Sequence, residues 1–267
     1  MIDAFFDEVK QVVDDYLQNF FRDSSIQRTT VIPKDFALPE VDCLQHVEFV
    51  GSAHFSGRSA SEVLQTISSI RPVGVCLELC PYRYEYILSM CDYCLEKNAC
   101  SKKCEFIASV EALKKEKMSL DIWLIDMVQD EIMARVLAEA SSEEAKAWQR
   151  LQKRVAQREA YGLRLWEEGL KDEAMHLFNG DLELMRKTFP TLWRVLILER
   201  NALMACRLVY LVSQYLNKGL KSFKIVVFIG AAHVEGIRML LKRPQSAYQL
   251  LEQFSIAFSP PHIIRKE

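Results

Sequence analysis

No stretch of this 267-residue chain reaches the roughly 18 to 20 apolar residues needed to cross a bilayer; "LMACRLVYLVSQYL" and "IVVFIGAA" both fall short. A membrane span is therefore not expected. Charge of one sign is lacking too, since 34 basic against 36 acidic side chains leave a formal −2. No global field would gather nucleic acid or an anionic membrane, and nucleic-acid partners are not expected. Local basic clusters such as "LQKRVAQR" lie in mixed-charge helical sequence and read as a solvated face. The start, "MIDAFFDEVKQVVDDYLQNFF", lacks the basic end and unbroken apolar core of a secretory leader and reads over residues 1–30 as an amphipathic helix.

Cysteine, by contrast, is plentiful. Eight cysteines without a leader predict reduced thiols and a reducing intracellular compartment such as the cytoplasm. Four of them, Cys91, Cys94, Cys100 and Cys104, follow one another in "CDYCLEKNACSKKC". Paired structural zinc ligands usually stand further apart, so the cluster reads as a helix end and loop with free thiols, with zinc as the alternative.

Half the residues are hydrophobic and 26% are charged, an ordinary globular balance. At this length the whole of 1–267 is expected to form one α/β domain. Strand-like runs appear at 46–53, in "RPVGVCLEL", in "LDIWLID" ending near Asp126, and in "KSFKIVVFIG"; a last strand is predicted at "FSIAF". Helical periodicity separates them, giving a central, mostly parallel sheet flanked by helices. Residues 129–217 read as a long helical insertion between the third and fourth strands.

Histidine is scarce, and two of the five occur in the same local pattern. "VGSAHF" and "IGAAHV" both run an apolar strand into Gly-x-x-His, ending at His54 and His233. Parallel strands present their carboxyl ends on one edge, where ligand sites form. That edge would receive His54, Glu78 from "VCLEL", Asp126 from "LID" and His233. Two imidazoles with one or two carboxylates are a donor set for a divalent ion, with Zn2+, Mn2+, Co2+ and Fe2+ all acceptable. Arg83 in "ELCPYR" would orient Glu78 or meet an anion. "ERNALMACRL" places Glu199, Arg200 and Asn201 at a helix start.

In order along the chain, "GSAHFS", "VCLELCPYR", "LERNALMA" and "FIGAAHVEGI" resemble the TraB/PrgY family, which is related to the Tiki metalloproteases and the EreA/ChaN-like fold. The resemblance implies metal-dependent hydrolysis, in the Tiki branch proteolysis, and hence a peptide or protein substrate. It implies His54, Glu78 and His233 as metal ligands, and Glu78, Arg83, Glu199 and Arg200 as catalytic residues. Asp126, Arg135 and Asn201 would serve substrate binding. Met127 stands where the family's segment carries arginine. That replacement favours a second reading, a non-catalytic regulatory or binding protein that keeps the fold.

Overall fold

The computed structural model describes residues 42–54, 56–96, 105–106, 109 and 120–264. A short 3-10 turn, Cys43–His46, leads into β1 (Val47–Ser52), α1 (Gly57–Ile70), β2 (Gly74–Leu77) and α2 (Pro81–Glu96). Next come β3 (Asp121–Leu124), α3 (Gln129–Glu139), α4 (Ser142–Glu168), α5 (Lys171–Thr188) and α6 (Pro190–Trp193). A π-helical stretch, Arg194–Glu199, runs into α7 (Arg200–Asn217), which is followed by β4 (Ile225–Gly230), α8 (Ala231–Lys242), α9 (Pro244–Gln253) and β5 (His262–Ile264). The expected helix at 1–30, together with Cys100 and Cys104, lies outside the described residues, while Cys91 and Cys94 lie within α2.

The protein is α/β, built on a five-stranded sheet in the order β1-β4-β2-β3-β5. All pairings are parallel except that of β3 with β5. The chain thus returns after five helices to insert β4 between the first two strands. Being central and covered on both faces, β4 needs apolar side chains in both directions, and "IVVFIG" is buried at every position. Ile225, Val227 and Ile229 pack with Leu203, Leu208, Leu211 and Val212 of α7. Val226 and Phe228 face the other way, toward Ala60, Val63 and Ile67 of α1.

The ends of these elements have local causes. Ser56 caps α1 by accepting from the Ser59 amide at 3.2 Å, satisfying one of the helix's unpaired first-turn donors. Ser141 does the same for α4 through Glu144, and Gly169, at φ 89°, closes that helix in the left-handed conformation glycine tolerates.

The strand expected at "FSIAF" is not formed. Phe254 ends α9, Ser255 turns at φ 51°, and the Ile256 amide folds back onto Leu251 O at 2.8 Å. The alternating apolar residues there are anchors: Ile256 and Phe258 are buried in the α7 face of the core. The last strand comes later, at His262–Ile264, as the antiparallel edge beside β3. Among the described residues, no helix is long and apolar enough to cross a membrane. Cys43, Cys76, Cys80 and Cys206 are buried free thiols.

Candidate active site

Register brings the strand ends together. Ser52 pairs with Gly230, Leu77 with Phe228, and Leu77 with Leu124, so β1, β4, β2 and β3 finish on one edge. Pairing continues irregularly past them: the Glu78 amide reaches Phe228 O at 3.2 Å and the Asp126 amide reaches Leu79 O at 3.1 Å. His54, Glu78, Asp126 and His233 are therefore delivered to one place by the backbone.

Glu78 is the centre of the group, and it is buried. Its Oε2 accepts from the Gly230 amide at 2.6 Å, where β4 gives way to α8. Oε2 also lies 3.7 Å from His54 Nε2, and Oε1 lies 3.4 Å from His233 Nε2. Glycine at 230 leaves room for both side chains, since a Cβ there would stand 2.9 Å from His54 Nε2 and 3.2 Å from Glu78 Oε2. The requirement is space, because its φ of −53° suits any residue.

Each imidazole is held from behind. His233 Nδ1 is 2.6 Å from Asn201 Oδ1, and His54 Nδ1 is 2.6 Å from Glu105 Oε1. An amide oxygen and a carboxylate oxygen only accept, so both rings carry the proton on Nδ1 and turn Nε2 toward Glu78. Ser52 Oγ donates to the same oxygen of Glu105 at 3.0 Å. Glu105 is fully buried. It was not among the residues expected from sequence, and Asn201, expected at the substrate, is turned into the His233 contact.

A chain of cations and carboxylates lies beneath. Arg200 Nη2 donates to Glu78 Oε1 and, at 2.7 Å, to Asp126 Oδ2, while Nε reaches Asp126 Oδ1 at 3.0 Å. Arg83 Nη2 donates to Asp126 Oδ2 and, at 2.7 Å, to Glu78 O. With the Met127 amide on Oδ1 at 2.7 Å, Asp126 has protein donors on both oxygens and is buried. Arg207 closes the set by donating to Ile125 O at 3.1 Å and Asp126 O at 2.6 Å, which fixes the end of β3.

The electrostatics follow from this placement. Burial alone would raise the Glu78 carboxyl, but His233, Arg200 and His54 outweigh it and hold Glu78 below its ordinary value. Asp126 is likewise held well below the carboxylate range because Arg200 and Arg83 overcome its burial. Burial pushes His233 down to about 4, so this ring is neutral near pH 7. For His54, burial also works against the charge, but the hydrogen bond to Glu105 and the charge of Glu78 raise it above its ordinary value.

Glu199 and Arg135 belong to a different network. Glu199 Oε2 lies 3.4 Å from Arg135 Nη1, and Oε1 lies 3.0 Å from Arg194 Nε, without hydrogen-bond alignment in the latter case. Arg135 also holds Glu131 at 2.9 Å and Phe254 O at 3.0 Å. These residues tie α3 to the π-helical stretch and to the turn after α9. Consecutive in sequence, Glu199 and Arg200 thus join separate charge clusters, one tying helices together and one beside the imidazoles.

Two donor atoms bound tetrahedrally at about 2.1 Å from one ion stand about 3.4 Å apart. The His233–Glu78 separation of 3.4 Å has that spacing and the His54–Glu78 separation of 3.7 Å is wider, while two Nδ1-anchored imidazoles with a carboxylate are ligand chemistry for a divalent ion. Among the described residues no three His, Cys, Asp or Glu side chains form a ready-made cage. Arg200 already donates to one oxygen of Glu78. The chemistry of the donor set, two imidazoles and a carboxylate, is that of a divalent-ion site.

No family model matches the chain, and no solved structure matches it significantly. An uncharacterized protein of Methanocaldococcus jannaschii is similar to it, at 26% identity over 225 residues, covering 74% of this chain and 53% of the relative. The chain thus spans about half the length of the curated relative it matches.

Proposed function

We propose that this chain is a metal-dependent hydrolase of TraB/PrgY type acting on peptide or protein substrates, with His54, Glu78 and His233 as the ligands of a divalent ion. One observation carries the reading: two histidines far apart in sequence turn their Nε2 atoms toward opposite oxygens of one buried carboxylate. Zn2+, Mn2+, Co2+ and Fe2+ all suit this donor set. A bound ion of this kind supplies Lewis-acid polarisation of a carbonyl and a water of lowered pKa.

The residues around it have separate tasks. His233, buried and neutral, offers a lone pair at a fixed place. His54, whose side chain is 38% exposed against 5% for His233, forms the open side from which substrate enters. Arg200 and Arg83 keep Glu78 and Asp126 ionised. Arg83, with 26% of its side chain exposed, is the cation nearest solvent and the candidate to meet developing negative charge.

A regulatory or binding role without catalysis is favoured by one observation. Asp126 is occupied by Arg83, Arg200 and the Met127 amide, so it has no free oxygen for substrate, and Met127 itself is fully buried. The two readings separate in one experiment: metal content of untagged protein, and peptidase activity with a panel of divalent ions, for the wild type and for His54→Ala and His233→Ala. The hydrolase reading expects stoichiometric metal in the wild type, loss of metal in both variants and loss of activity with it. Full metal binding by both variants removes the site. Metal bound without hydrolysis of any tested peptide favours the regulatory role instead.

A further inference from the structure

We propose that Glu105 and Asn201 are a matched but unequal pair of positioning residues, one behind each imidazole, and that the carboxylate behind His54 makes it the stronger of the two metal donors. The inference rests on the metal-site reading above and assigns a role to Glu105, which neither the two Gly-x-x-His motifs nor the strand-end pattern includes.

The geometry is parallel at the two rings. Each Nδ1 has one oxygen at 2.6 Å, and each Nε2 faces Glu78. Free neutral imidazole exchanges its proton between the two nitrogens, so a ring must be locked by its outer partner if the inner nitrogen is to present a lone pair. Asn201 locks His233 from α7, the helix that also carries Arg200. Glu105 locks His54, and is itself aligned by the Ser52 hydroxyl at 3.0 Å. Ser52 is the last residue of β1, two positions before the histidine it indirectly serves.

The pair is unequal because an amide oxygen is neutral and a carboxylate is not. A hydrogen bond to an ionised acceptor is roughly twice as strong as a neutral one, and it transfers more electron density to the ring's far nitrogen. Glu105 has no exposure to water to dilute that effect. The half-exposed histidine thus has the charged support, and the buried one has the neutral support.

Two readouts test this. Nitrogen-15 spectra of the histidine rings in metal-free protein above pH 8 report the tautomer directly. Both His54 and His233 are expected with the proton on Nδ1. In Glu105→Leu, His54 alone is expected to revert toward the Nε2–H form, whereas Glu105→Gln, which keeps an acceptor oxygen, retains Nδ1–H and confirms that the fold is intact. Titration with Mn2+ and Zn2+ is the second readout. Glu105→Leu is expected to weaken binding by about 10- to 100-fold, Glu105→Gln by less, and Asn201→Leu by less than Glu105→Leu. An unchanged His54 tautomer in Glu105→Leu overturns the positioning role whether or not metal binds. Equal losses in Glu105→Leu and Asn201→Leu overturn the inequality. A wild type that binds neither metal, with the tautomers as stated, defeats the metal reading and the donor ranking with it, while leaving the two residues as ring anchors.

Discussion

The turn after β1 and the turn after β4 share the letters Gly-x-x-His and differ in almost everything around them. After β4, the missing Cβ of Gly230 faces the site, within reach of His54 and Glu78. After β1, the missing Cβ of Gly51 faces Val234 and Ala231 of α8, a packing contact. One glycine makes room for chemistry and the other for a helix. His233 is buried, neutral and backed by an amide; His54 is half-exposed, raised in basicity and backed by a carboxylate. The repeat therefore delivers two rings to one carboxylate by different local means, and the asymmetry lies in the surroundings.

What the two turns share is Glu78, and Arg200 is what keeps Glu78 ionised. Replacing Arg200 by Met is expected to produce the largest loss. It leaves two buried carboxylates, Glu78 and Asp126, short of their common cation, and breaking such a cluster costs about 3–5 kcal/mol. Urea unfolding measures the loss. Adding Asp126→Asn should recover part of it, because the two sites share one guanidinium and their effects are not additive. A loss under about 1 kcal/mol would mean that Arg200 is a surface-like charge.

Acidity should pull the two histidines in opposite directions in chelator-treated protein. His233 titrates at about 4 in the folded chain, against 6.5 for an unperturbed imidazole. Below pH 6.5 the unfolded chain binds a proton that the folded ring refuses, so stability falls between 6.5 and about 4, by about 3 kcal/mol in total for a single such group. The lowered carboxyls of Glu78 and Asp126 act in the same sense at lower pH, since their contribution exists above the unfolded value and is lost as they are protonated. His54 is raised, so its contribution is complete below 6.5 and fades as pH rises through its folded value. Stability curves of His233→Gln should lack the slope between 6.5 and about 4, and those of His54→Gln the alkaline one. Identical curves for both variants would erase the distinction between the turns.

Much of this arrangement is visible in the sequence because strand ends and site residues coincide. The runs ending at Gly51, Leu77, Leu124 and Gly230 mark four strands, and His54, Glu78, Asp126 and His233, each within three positions of a run's end, mark the edge. The strand order is less visible, since nothing local says that β4 lies between β1 and β2. Phe254 to Phe258 has strand-like alternation, yet its apolar residues satisfy the core one at a time from a turn. Glu105 is hidden for another reason. In "CEFIASVEALKKEKM" it resembles any charge on an amphipathic helix, and only its position between Cys104 and the apolar run Phe106, Ile107 and Ala108 sets it apart. Glu199 and Arg200 look equivalent in "LERNALMA", but they enter different charge networks.

The smallest expected effect is the sharpest comparison, because the same substitution is made in both turns. Gly51→Ala places a Cβ 3.2 Å from Val234 Cγ2 and 3.4 Å from Ala231 Cα, against a helix that must shift by a few tenths of an ångström. The cost should be about 1 kcal/mol, felt as packing. Gly230→Ala places its Cβ 2.9 Å from His54 Nε2, at the end of a side chain that can swing toward solvent. Its stability cost should be of the same order, because a half-exposed ring can give way more easily than backbone. The difference should appear in the ring itself. In Gly230→Ala, His54 is expected to leave Glu78, with its NMR ring signals shifted and, on the proposed metal reading, metal binding lost, whereas in Gly51→Ala the ring signals and any metal affinity should match the wild type. If both variants shifted the His54 signals equally, the glycine near the end of β1 would serve the site as directly as the one that ends β4.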